Sequence, residues 1–486
     1  MLFTSINFIF LFLPFTFISY FTLMRFNFIT FAKFFLVGSS LFFYSYFNMN
    51  YLPLILGSLT VNYVIGTVLG LSIKSVSKFN RKLMLTIGVI INLALLGYFK
   101  YYNFILENIG NIFNISFNNS TILLPLAISF FTFQQIAYLV DSYKGQTSEY
   151  GMLDYCLFVT FFPQLIAGPI VHHYEMMNQF RSSETKLINT KNIFLGVTIF
   201  SIGLFKKVVI ADSLSIWVDD GYSNPERLDF YSSWLTSLSY TFQLYFDFSG
   251  YCDMAIGAAL IFNIRLPINF NSPYKSLNIQ DFWRRWHITL GRFLREYIYI
   301  PLGGNKKTNL HTYLNLFLTF LIGGIWHGAS WMFVIWGGMH GVALVIHRVW
   351  MNLNIRMNSI ISWFITFNFI NISWIFFRAD NIEIAINILK KMFSFTMVNQ
   401  LDVEKISWLG FNADFMIKTM PISLVNHIGQ TLIIFICFIL ITKKNSIQIY
   451  SNEVEKINPV YYAIIFSISI YFVLASSNSV FLYFNF

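Results

Sequence analysis

The chain has 486 residues, of which 56% are hydrophobic and 11% are charged, and its formal net charge is +10. A soluble protein carries roughly 25% charged residues, so this composition excludes a chain of water-soluble globular domains. The basic excess does not indicate nucleic-acid binding, because Lys and Arg lie mainly between the apolar runs, where membrane topology places them. We therefore expect an integral membrane protein surrounded by lipid, with no nucleic acid as a partner.

Apolar runs recur along the whole chain and predict an all-α, polytopic bundle. A helix needs about 20 apolar residues to cross the hydrocarbon core, and on that measure we expect about 11 to 13 membrane helices. The candidate spans are residues 6–23, 31–48, 51–71, 83–99, 121–140, 193–212, 233–247, 253–266, 311–325, 331–349, 360–377, 430–442 and 459–476. Residues 158–171, FVTFFPQLIAGPIV, contain Pro and Gly and predict a broken, re-entrant helix.

The loops between these runs predict the orientation of the chain. Residues 72–82 contain four basic residues and no acidic residue, so they should face the cytoplasm, whereas residues 100–120 are nearly neutral and should lie outside. Counting back three spans places the N-terminus outside. Lys443 and Lys444 then mark an inner loop, and the C-terminal tail, residues 476–486, returns to the outside. The balanced charges of residues 378–429 also favour the outer side.

His327 is the strongest candidate for chemistry at membrane depth. It lies within the apolar stretch 314–346, in the run LIGGIWHGASWMFVIWGGMHG, with glycines on both sides and Trp326 before it. Imidazole titrates near pH ~6.5, which suits proton transfer at neutral pH, and the glycines let a substrate or another helix approach the backbone. The alternative is a core histidine that is hydrogen-bonded to a neighbouring span.

The densest basic cluster lies in the run DFWRRWHITLGRFLREYIYIPLGGNKK, where Arg284 and Arg285 precede Trp286 and His287. One interpretation is positive-inside anchoring, with indole rings at the interface. The other is a landing site for an anionic donor, such as the phosphates of a thioester carrier, at the cytoplasmic mouth. The sequence has no His-Glu-x-x-His motif or carboxylate–histidine cluster at ligand spacing, so we predict no metal site.

Three long motifs resemble the core of the membrane-bound O-acyltransferase family. They are FSGYCDMAIGAALIFNIRLPINFNSPY, DFWRRWHITLGRFLREYIYIPLGGN and GGIWHGASW, in that order, and they are supported by SFFTFQQIAYLVDSYKG and FFPQLIAGPIV upstream. The resemblance covers at least residues 129–341. It is strongest to the branch of alginate and peptidoglycan O-acetyltransferase membrane subunits, which is related to the D-alanyl transfer protein of teichoic acids.

The resemblance implies an enzyme that transfers an acyl group, with acetyl expected, in a helical bundle around a funnel or tunnel. It places the family's hallmark histidine on His327 and a second histidine on His287. It implies no bound cofactor but an acyl thioester donor such as acetyl-coenzyme A, which enters from the cytoplasm. It also implies a bacterial inner membrane, a cell-envelope polysaccharide such as peptidoglycan or alginate as acceptor, and an extracytoplasmic hydrolase-like partner that completes transfer.

On this basis the chain divides into N-terminal transmembrane helices (1–120), a catalytic core (121–350) and C-terminal transmembrane helices (351–486). The core motifs also supply the candidates for binding the donor or the substrate. These are Trp286, Arg284, Arg285, Trp326, Asp247 and Tyr251.

The last six residues, FLYFNF, resemble a Phe-x-Tyr-x-x-Phe terminal motif of some envelope acylation systems. The resemblance implies that the hydroxyl of Tyr483 holds the acyl group in transit, with His327 as the base that activates it. The alternative is an aromatic belt that anchors the last helix at the membrane interface.

Other functions remain open on the sequence alone. Within acyl transfer, the group could be D-alanyl or a longer acyl chain. A transporter or flippase would use the intramembrane charges as a substrate path, and a purely structural subunit would need neither histidine.

Overall fold

The computed structural model describes residues 1–71, 80–117, 122–147, 151–182, 184–394, 422–452, 458–475 and 482. The regular structure of these residues is helical throughout, without a β-strand, which confirms the predicted all-α class. The chain forms two compact units. Unit 1 is built from Met1–Ile202 and Tyr251–Ile268, and unit 2 from Gly203–Gly250 and Asn269–Leu482.

Unit 1 begins with a π-helical turn, Asn7–Phe12, that leads into the first α-helix. Its helices are α1 (Leu13–Arg25), α2 (Ile29–Ser45), α3 (Leu52–Leu71), α4 (Arg81–Leu96), α5 (Tyr102–Phe113), α6 (Ile128–Lys144), α7 (Met152–Thr160), α8 (Phe162–Leu165), α9 (His173–Arg181) and most of α10 (Thr190–Phe205). Nearly every side chain of α6 is buried, and α6 packs against α3 and α4. Its Gln135 accepts a hydrogen bond from Asn62, which also pairs with Asn92, so these buried amides link α6 to α3 and α4.

Unit 2 contains the helices that carry most of the motif residues. They are α11 (Asp212–Ser223), α12 (Phe230–Ile261, which enters unit 1 at Tyr251), α13 (Ile279–Arg285), α14 (Ile288–Leu294), α15 (Asn309–His327), α16 (Trp331–Asn352), α17 (Ser359–Arg378), α18 (Ile382–Phe393), α19 (Ile422–Thr442), α20 (Ser446–Asn452) and α21 (Pro459–Ala475). A π-helical turn, Lys206–Ala211, joins α10 to α11.

Six helical segments in the described part of the chain are long and apolar enough to cross a membrane. They are Asn7–Arg25, Met49–Leu71, Arg81–Phe113, Thr190–Ser223, Trp331–Asn352 and Ser359–Arg378. Shorter apolar helices occupy Ile29–Ser45, Ile428–Thr442 and Pro459–Ala475. Large apolar side chains on these helices are exposed, such as Phe31 on α2, Ile90 on α4 and Ile360 on α17, as expected for surfaces that face lipid.

The predicted broken helix in residues 158–171 is confirmed. Helix α7 ends at Thr160, and α8 begins at Phe162 with Pro163 in its first turn, where a missing N–H does no harm. The backbone N–H freed at Phe162 donates to the hydroxyl of Ser40, so protein rather than lipid satisfies it.

Two predicted boundaries were wrong. Residues 100–120 were expected to form an outer loop, but α5 continues from α4 through the π-helical turn Gly97–Tyr101 and ends only at Phe113. Residues 233–247 and 253–266 were expected to be two spans, but residues 233–261 belong to the single helix α12, which ends at Ile261. Asp247, the last residue of the first predicted span, is buried against protein partners, so the helix can continue past it.

Candidate functional site

His327 is the last residue of α15, and its side chain is only 3% exposed. Helix α15 ends at this residue because the backbone of Gly328 is extended. Helix α16 begins just after Ser330, whose hydroxyl accepts the N–H of Met332. Three aromatic rings surround the imidazole, with centroid distances of 4.9 Å to Trp326, 5.0 Å to Trp336 and 5.2 Å to Phe377. The ring is therefore enclosed by unit 2 and does not face lipid.

Glycines place this histidine by letting α15 and α16 approach each other closely. A Cβ atom on Gly324 would lie 2.4 Å from the carbonyl oxygen of Phe333 and 2.8 Å from Cα of Gly337. Such contacts are possible only without side chains, as in the small-residue crossings of membrane helices. Helices α15 and α16 form a helical hairpin, and at the end opposite His327 the side chain of Asn352 donates a hydrogen bond to the hydroxyl of Tyr313. The glycines that flank the histidine in the sequence thus serve helix packing.

His287 lies in the connection between α13 and α14, outside the helices long enough to span a membrane. Its backbone is left-handed, with φ 44° and ψ 54°, a conformation that costs energy for a residue other than glycine and that clusters at functional positions. Asn269 holds this turn, since its carbonyl oxygen accepts the N–H of Ile288 and its side chain accepts the N–H and hydroxyl of Thr289. The imidazole is fully buried, and burial lowers the pKa of His287 to about 3, so the ring is neutral.

A chain of indole rings joins the surroundings of the two histidines. From His327 the contacts run to Trp336, then to Trp374 at 5.6 Å, and then to Trp286 at 5.0 Å, the residue before His287. The four residues Trp286, Trp336, Trp374 and Phe377 are called the aromatic cluster below. Unit 2 thus brings His327 and the residue that precedes His287 to one buried aromatic cluster, although the two histidines are 40 positions apart in the sequence.

His340, a buried residue of α16, has a structural role. Its Nδ1 accepts the indole N–H of Trp283 at 3.2 Å, and its Nε2 lies 3.0 Å from the hydroxyl oxygen of Ser373. The Ser373 hydroxyl donates to the carbonyl of Ile370, so Nε2 carries the proton and donates to Ser373. Both ring nitrogens are therefore occupied by packing contacts between helices.

We expect His340→Leu to lower the free energy of unfolding by about 1–3 kcal/mol, because it removes the buried imidazole that accepts the partly buried indole N–H of Trp283. Thermal denaturation of the purified protein in detergent measures the change. The matched control is His311→Leu at the exposed start of α15, where a change within about 0.5 kcal/mol is expected. An unchanged melting temperature for His340→Leu would contradict this structural role.

The two arginines beside His287 differ in their surroundings. Arg285 forms an ion pair with Asp281 one turn earlier, at 3.0 Å, and also reaches the carbonyl of Asn271 at 3.4 Å. Arg284 is exposed. Of the predicted pair, Arg284 is therefore the more accessible to an anionic ligand.

The remaining predicted site residues are dispersed. Asp247 is buried in unit 2 and bound by protein groups: Lys207 forms an ion pair with it at 2.6 Å, and the backbone N–H of Leu482 donates to it at 3.1 Å. Tyr251 belongs to unit 1, where its ring stacks on Phe3 at 4.8 Å. Tyr483 lies outside the described residues.

Unit 2 also contains an open cavity of about 1300 Å³ between α16, α17 and the start of α13. Most of its lining is apolar, including Met339 and Phe369, and its basic members are His347 and Arg356. Asn278 and Ile279 line it at the start of the helix that carries Arg284. The cavity therefore combines an apolar wall with positive charge near the predicted basic cluster.

Sequence reasoning missed two groups of residues. The aromatic cluster includes Trp374 and Phe377 of α17. The middle of this helix has no ionisable residue, so nothing in its sequence indicated a functional position. Lys207 could have been found, because a lysine within the apolar run 193–212 is a costly exception that needs a partner.

Comparison with known proteins identifies the family of this chain. The model of the membrane-bound O-acyltransferase family matches residues 90–382, a range that includes His287, His327 and the whole aromatic cluster. The peptidoglycan O-acetyltransferase of Helicobacter pylori is 49% identical, over 100% of this chain and 98% of that protein. A protein of Pseudomonas aeruginosa named "probable alginate O-acetylase" is 42% identical, over 81% of this chain and 75% of that protein.

A more distant relative is the teichoic acid D-alanyltransferase of Bacillus subtilis, which is 28% identical over 50% of this chain and 66% of its own length. These relatives are acyltransferases by name, which favours acyl transfer over the transporter alternative. The match of the family model covers more than half of the chain, and the relative from Helicobacter pylori extends over all of it. The chain therefore belongs to the membrane-bound O-acyltransferase family and is an O-acyltransferase.

Proposed function

We propose that this enzyme transfers an acetyl group from a cytoplasmic thioester donor such as acetyl-coenzyme A to a polysaccharide of the bacterial cell envelope, with peptidoglycan as the first candidate. The observation that carries the choice of peptidoglycan is the 49% identity, over both full lengths, to a protein named peptidoglycan O-acetyltransferase. Alginate is supported by a lower identity over less of the chain. D-Alanyl transfer is the runner-up, supported by the relative that acts on teichoic acid.

His327 acts as the general base in this proposal. Its burial among aromatic rings supports the role, because a base that is shielded from bulk water can take a proton directly from an attacking hydroxyl. His287 supports the acyl group or steadies the oxyanion that forms on the thioester carbonyl. Its strained backbone and the aromatic contacts that join its neighbour to Trp336 favour a fixed position relative to His327.

Tyr483 is the first acceptor. Its phenol oxygen attacks the thioester carbonyl carbon, His327 takes the phenol proton, and the carbon–sulfur bond breaks to release the thiol of the donor. A nucleophile of the hydrolase-like partner then attacks the tyrosyl ester, which frees the phenol, and the partner passes the acetyl group to a sugar hydroxyl. A phenol of pKa near ~10 is a weak nucleophile at neutral pH, which is why a base is needed. The hydrogen bond from the backbone N–H of Leu482 to Asp247 holds the residue that precedes Tyr483 in unit 2.

The donor is proposed to approach from the basic end of unit 2. Lys306, Lys307, Arg348 and Arg356 all lie near the end at which Asn352 and Tyr313 are hydrogen-bonded, and the positive-inside rule assigns that end to the cytoplasm. The apolar cavity with Arg356 and the exposed Arg284 suit the phosphates and the carbon chain of a thioester carrier. The N- and C-termini would then lie outside the inner membrane, where a hydrolase-like partner takes the acetyl group onward.

Incubation of the purified enzyme with acetyl-coenzyme A labelled in the acetyl group tests this proposal. We expect the label on the C-terminal peptide, at Tyr483, in mass spectrometry, and none in Tyr483→Phe. The matched control is Tyr471→Phe on α21, whose exposed ring should not affect labelling. Absence of label on the wild-type peptide, together with polymer acetylation in Tyr483→Phe, would refute the relay. A tail labelled only by a D-alanyl thioester would favour the runner-up.

A further inference from the structure

A buried cluster of charges in unit 2 is not used by the mechanism above. The ammonium of Lys207 lies 2.7 Å from Oδ1 of Asp212 and 2.6 Å from Oδ1 of Asp247. Lys207 and Asp247 are buried, and each lies near the middle of a long helical segment, Thr190–Ser223 for the lysine and α12 for the aspartate. The cluster therefore sits far from either end of both helices, where isolated charges are costly.

The local backbone is built to bring these groups together. Lys207 occupies the π-helical turn between α10 and α11, and such turns are frequent at functional positions. Gly250 lies about one helical turn beyond Asp247 on α12 and lets the π-helical turn pack closely against α12. A Cβ atom on Gly250 would lie 2.7 Å from the carbonyl oxygen of Gly203 and 3.1 Å from the backbone nitrogen of Lys207. The ion pair thus depends on a helix irregularity and on a missing side chain.

Asp247 has a second carboxylate oxygen, which accepts the backbone N–H of Leu482 at 3.1 Å, across 235 positions of the chain. Two carboxylates and one ammonium leave the cluster with an excess negative charge when all three are ionised, so an additional N–H donor is favourable there. The last helix, α21, packs against the same π-helical turn. Two independent contacts therefore bring the end of the chain to the Lys207 region.

Stability alone does not explain such a cluster. A buried ion pair is often no more stabilising than well-packed apolar residues of similar volume, because desolvation offsets the attraction. Phe248, the residue after Asp247, lies edge-on to His287 with ring centroids 4.8 Å apart. The residue that follows Asp247 in α12 thus contacts a residue of the proposed site, so one helix joins the charge cluster to that site.

We infer that Asp247, held by Lys207, is a positioning residue that anchors the C-terminal end of the chain through the backbone of Leu482. The inference rests on the proposed function in one respect: anchoring Leu482 restricts the reach of the next residue, Tyr483, whose hydroxyl is the proposed first acceptor. A backbone donor makes the anchor independent of the side chain at position 482. The clearest perturbation is therefore removal of that N–H group.

Leu482→Pro removes the N–H, and Leu482→Ala retains it as the matched control. The first measurement is digestion of the purified protein by carboxypeptidase, followed by mass spectrometry of the C-terminal peptide. We expect Leu482→Pro to release the last residues at least about tenfold faster than Leu482→Ala, as loss of a hydrogen bond to an ionised group implies. Equal digestion rates for these two variants would overturn the anchor.

The second measurement is the rate at which Tyr483 is labelled by acetyl-coenzyme A in a single turnover. We expect it to fall at least about tenfold in Leu482→Pro and to change less than about threefold in Leu482→Ala. Asp247→Asn provides a second test, because it keeps the shape and loses the charge that Lys207 holds. It should increase digestion and slow labelling, with no loss of α-helical content by circular dichroism.

The two measurements separate the inference from the proposed function. If Leu482→Pro is digested faster but wild-type Tyr483 never carries a label, the acyl relay is refuted and the anchor is supported. If Tyr483 is labelled equally fast in the wild type, in Leu482→Pro and in Asp247→Asn, the relay is supported and the positioning role is overturned.

Discussion

His327→Ala is expected to lower the rate of acetyl transfer by about 10²- to 10⁴-fold, the contribution that a positioned general base makes. The reason is that a hydroxyl nucleophile keeps its proton at neutral pH, and the imidazole enclosed by Trp326, Trp336 and Phe377 is the group proposed to take it. The measurement is release of free thiol from acetyl-coenzyme A by the purified enzyme with its acceptor, at saturating donor concentration.

The control for this variant lies on the same helix. His311→Ala, at the exposed start of α15, removes an imidazole that contacts only the local turn at Thr308 among the contacts described, so its rate should stay within about twofold of wild type. Purified yield and melting temperature establish that both variants fold. A His327→Ala enzyme that folds and retains its full rate would remove the histidine from the mechanism and leave His287 as the candidate base.

The sequence predicted the fold wherever apolar length was the deciding property. The run 331–349 corresponds to α16, Trp331–Asn352, and the run 360–377 to α17, Ser359–Arg378, because both helices have a continuous apolar surface. Prediction failed where a polar residue inside a helix is satisfied by protein. The predicted span 233–247 ends at Asp247, yet α12 continues past this residue, because its partners Lys207 and Leu482 come from distant parts of the chain, which hydropathy does not reveal.

The residues of the candidate site were predictable from the sequence, but their conformation and packing were not. His327 could be selected because an ionisable residue between glycines and tryptophans in an apolar run is unusual, and His287 could be selected from the family motif DFWRRWHITLGRFLREYIYIPLGGN. The left-handed backbone of His287 could not be predicted, and neither could the position of Trp374, whose ring contacts both Trp286 and Trp336. They result from packing between helices that lie far apart in the sequence, and no periodicity within one helix records them.

Two adjacent glycines of α16 allow a sharp test of how the hairpin supports the site. A Cβ atom on Gly337 would lie 2.6 Å from the carbonyl oxygen of Phe320 and 2.9 Å from Cα of Gly324, whereas a Cβ atom on Gly338 would meet nothing within 4 Å. The obstructing atoms at Gly337 are backbone atoms of α15, which can move only if the helix moves. Gly337→Ala should therefore separate α15 from α16, and Gly338→Ala should leave them in place.

We expect Gly337→Ala to lower the free energy of unfolding by about 1–3 kcal/mol through overpacking. It should also lower the rate of acetyl transfer by about 10- to 100-fold, because a displacement of about 1 Å at His327, at the end of the displaced helix, is enough to misalign a base. Gly338→Ala should stabilise the protein by up to about 1 kcal/mol, since alanine is the better helix former, and should retain its rate. Thermal denaturation and thiol release measure both properties. Equal melting temperatures and rates for the two variants would show that the close approach of Gly324 and Gly337 does not hold His327 in position.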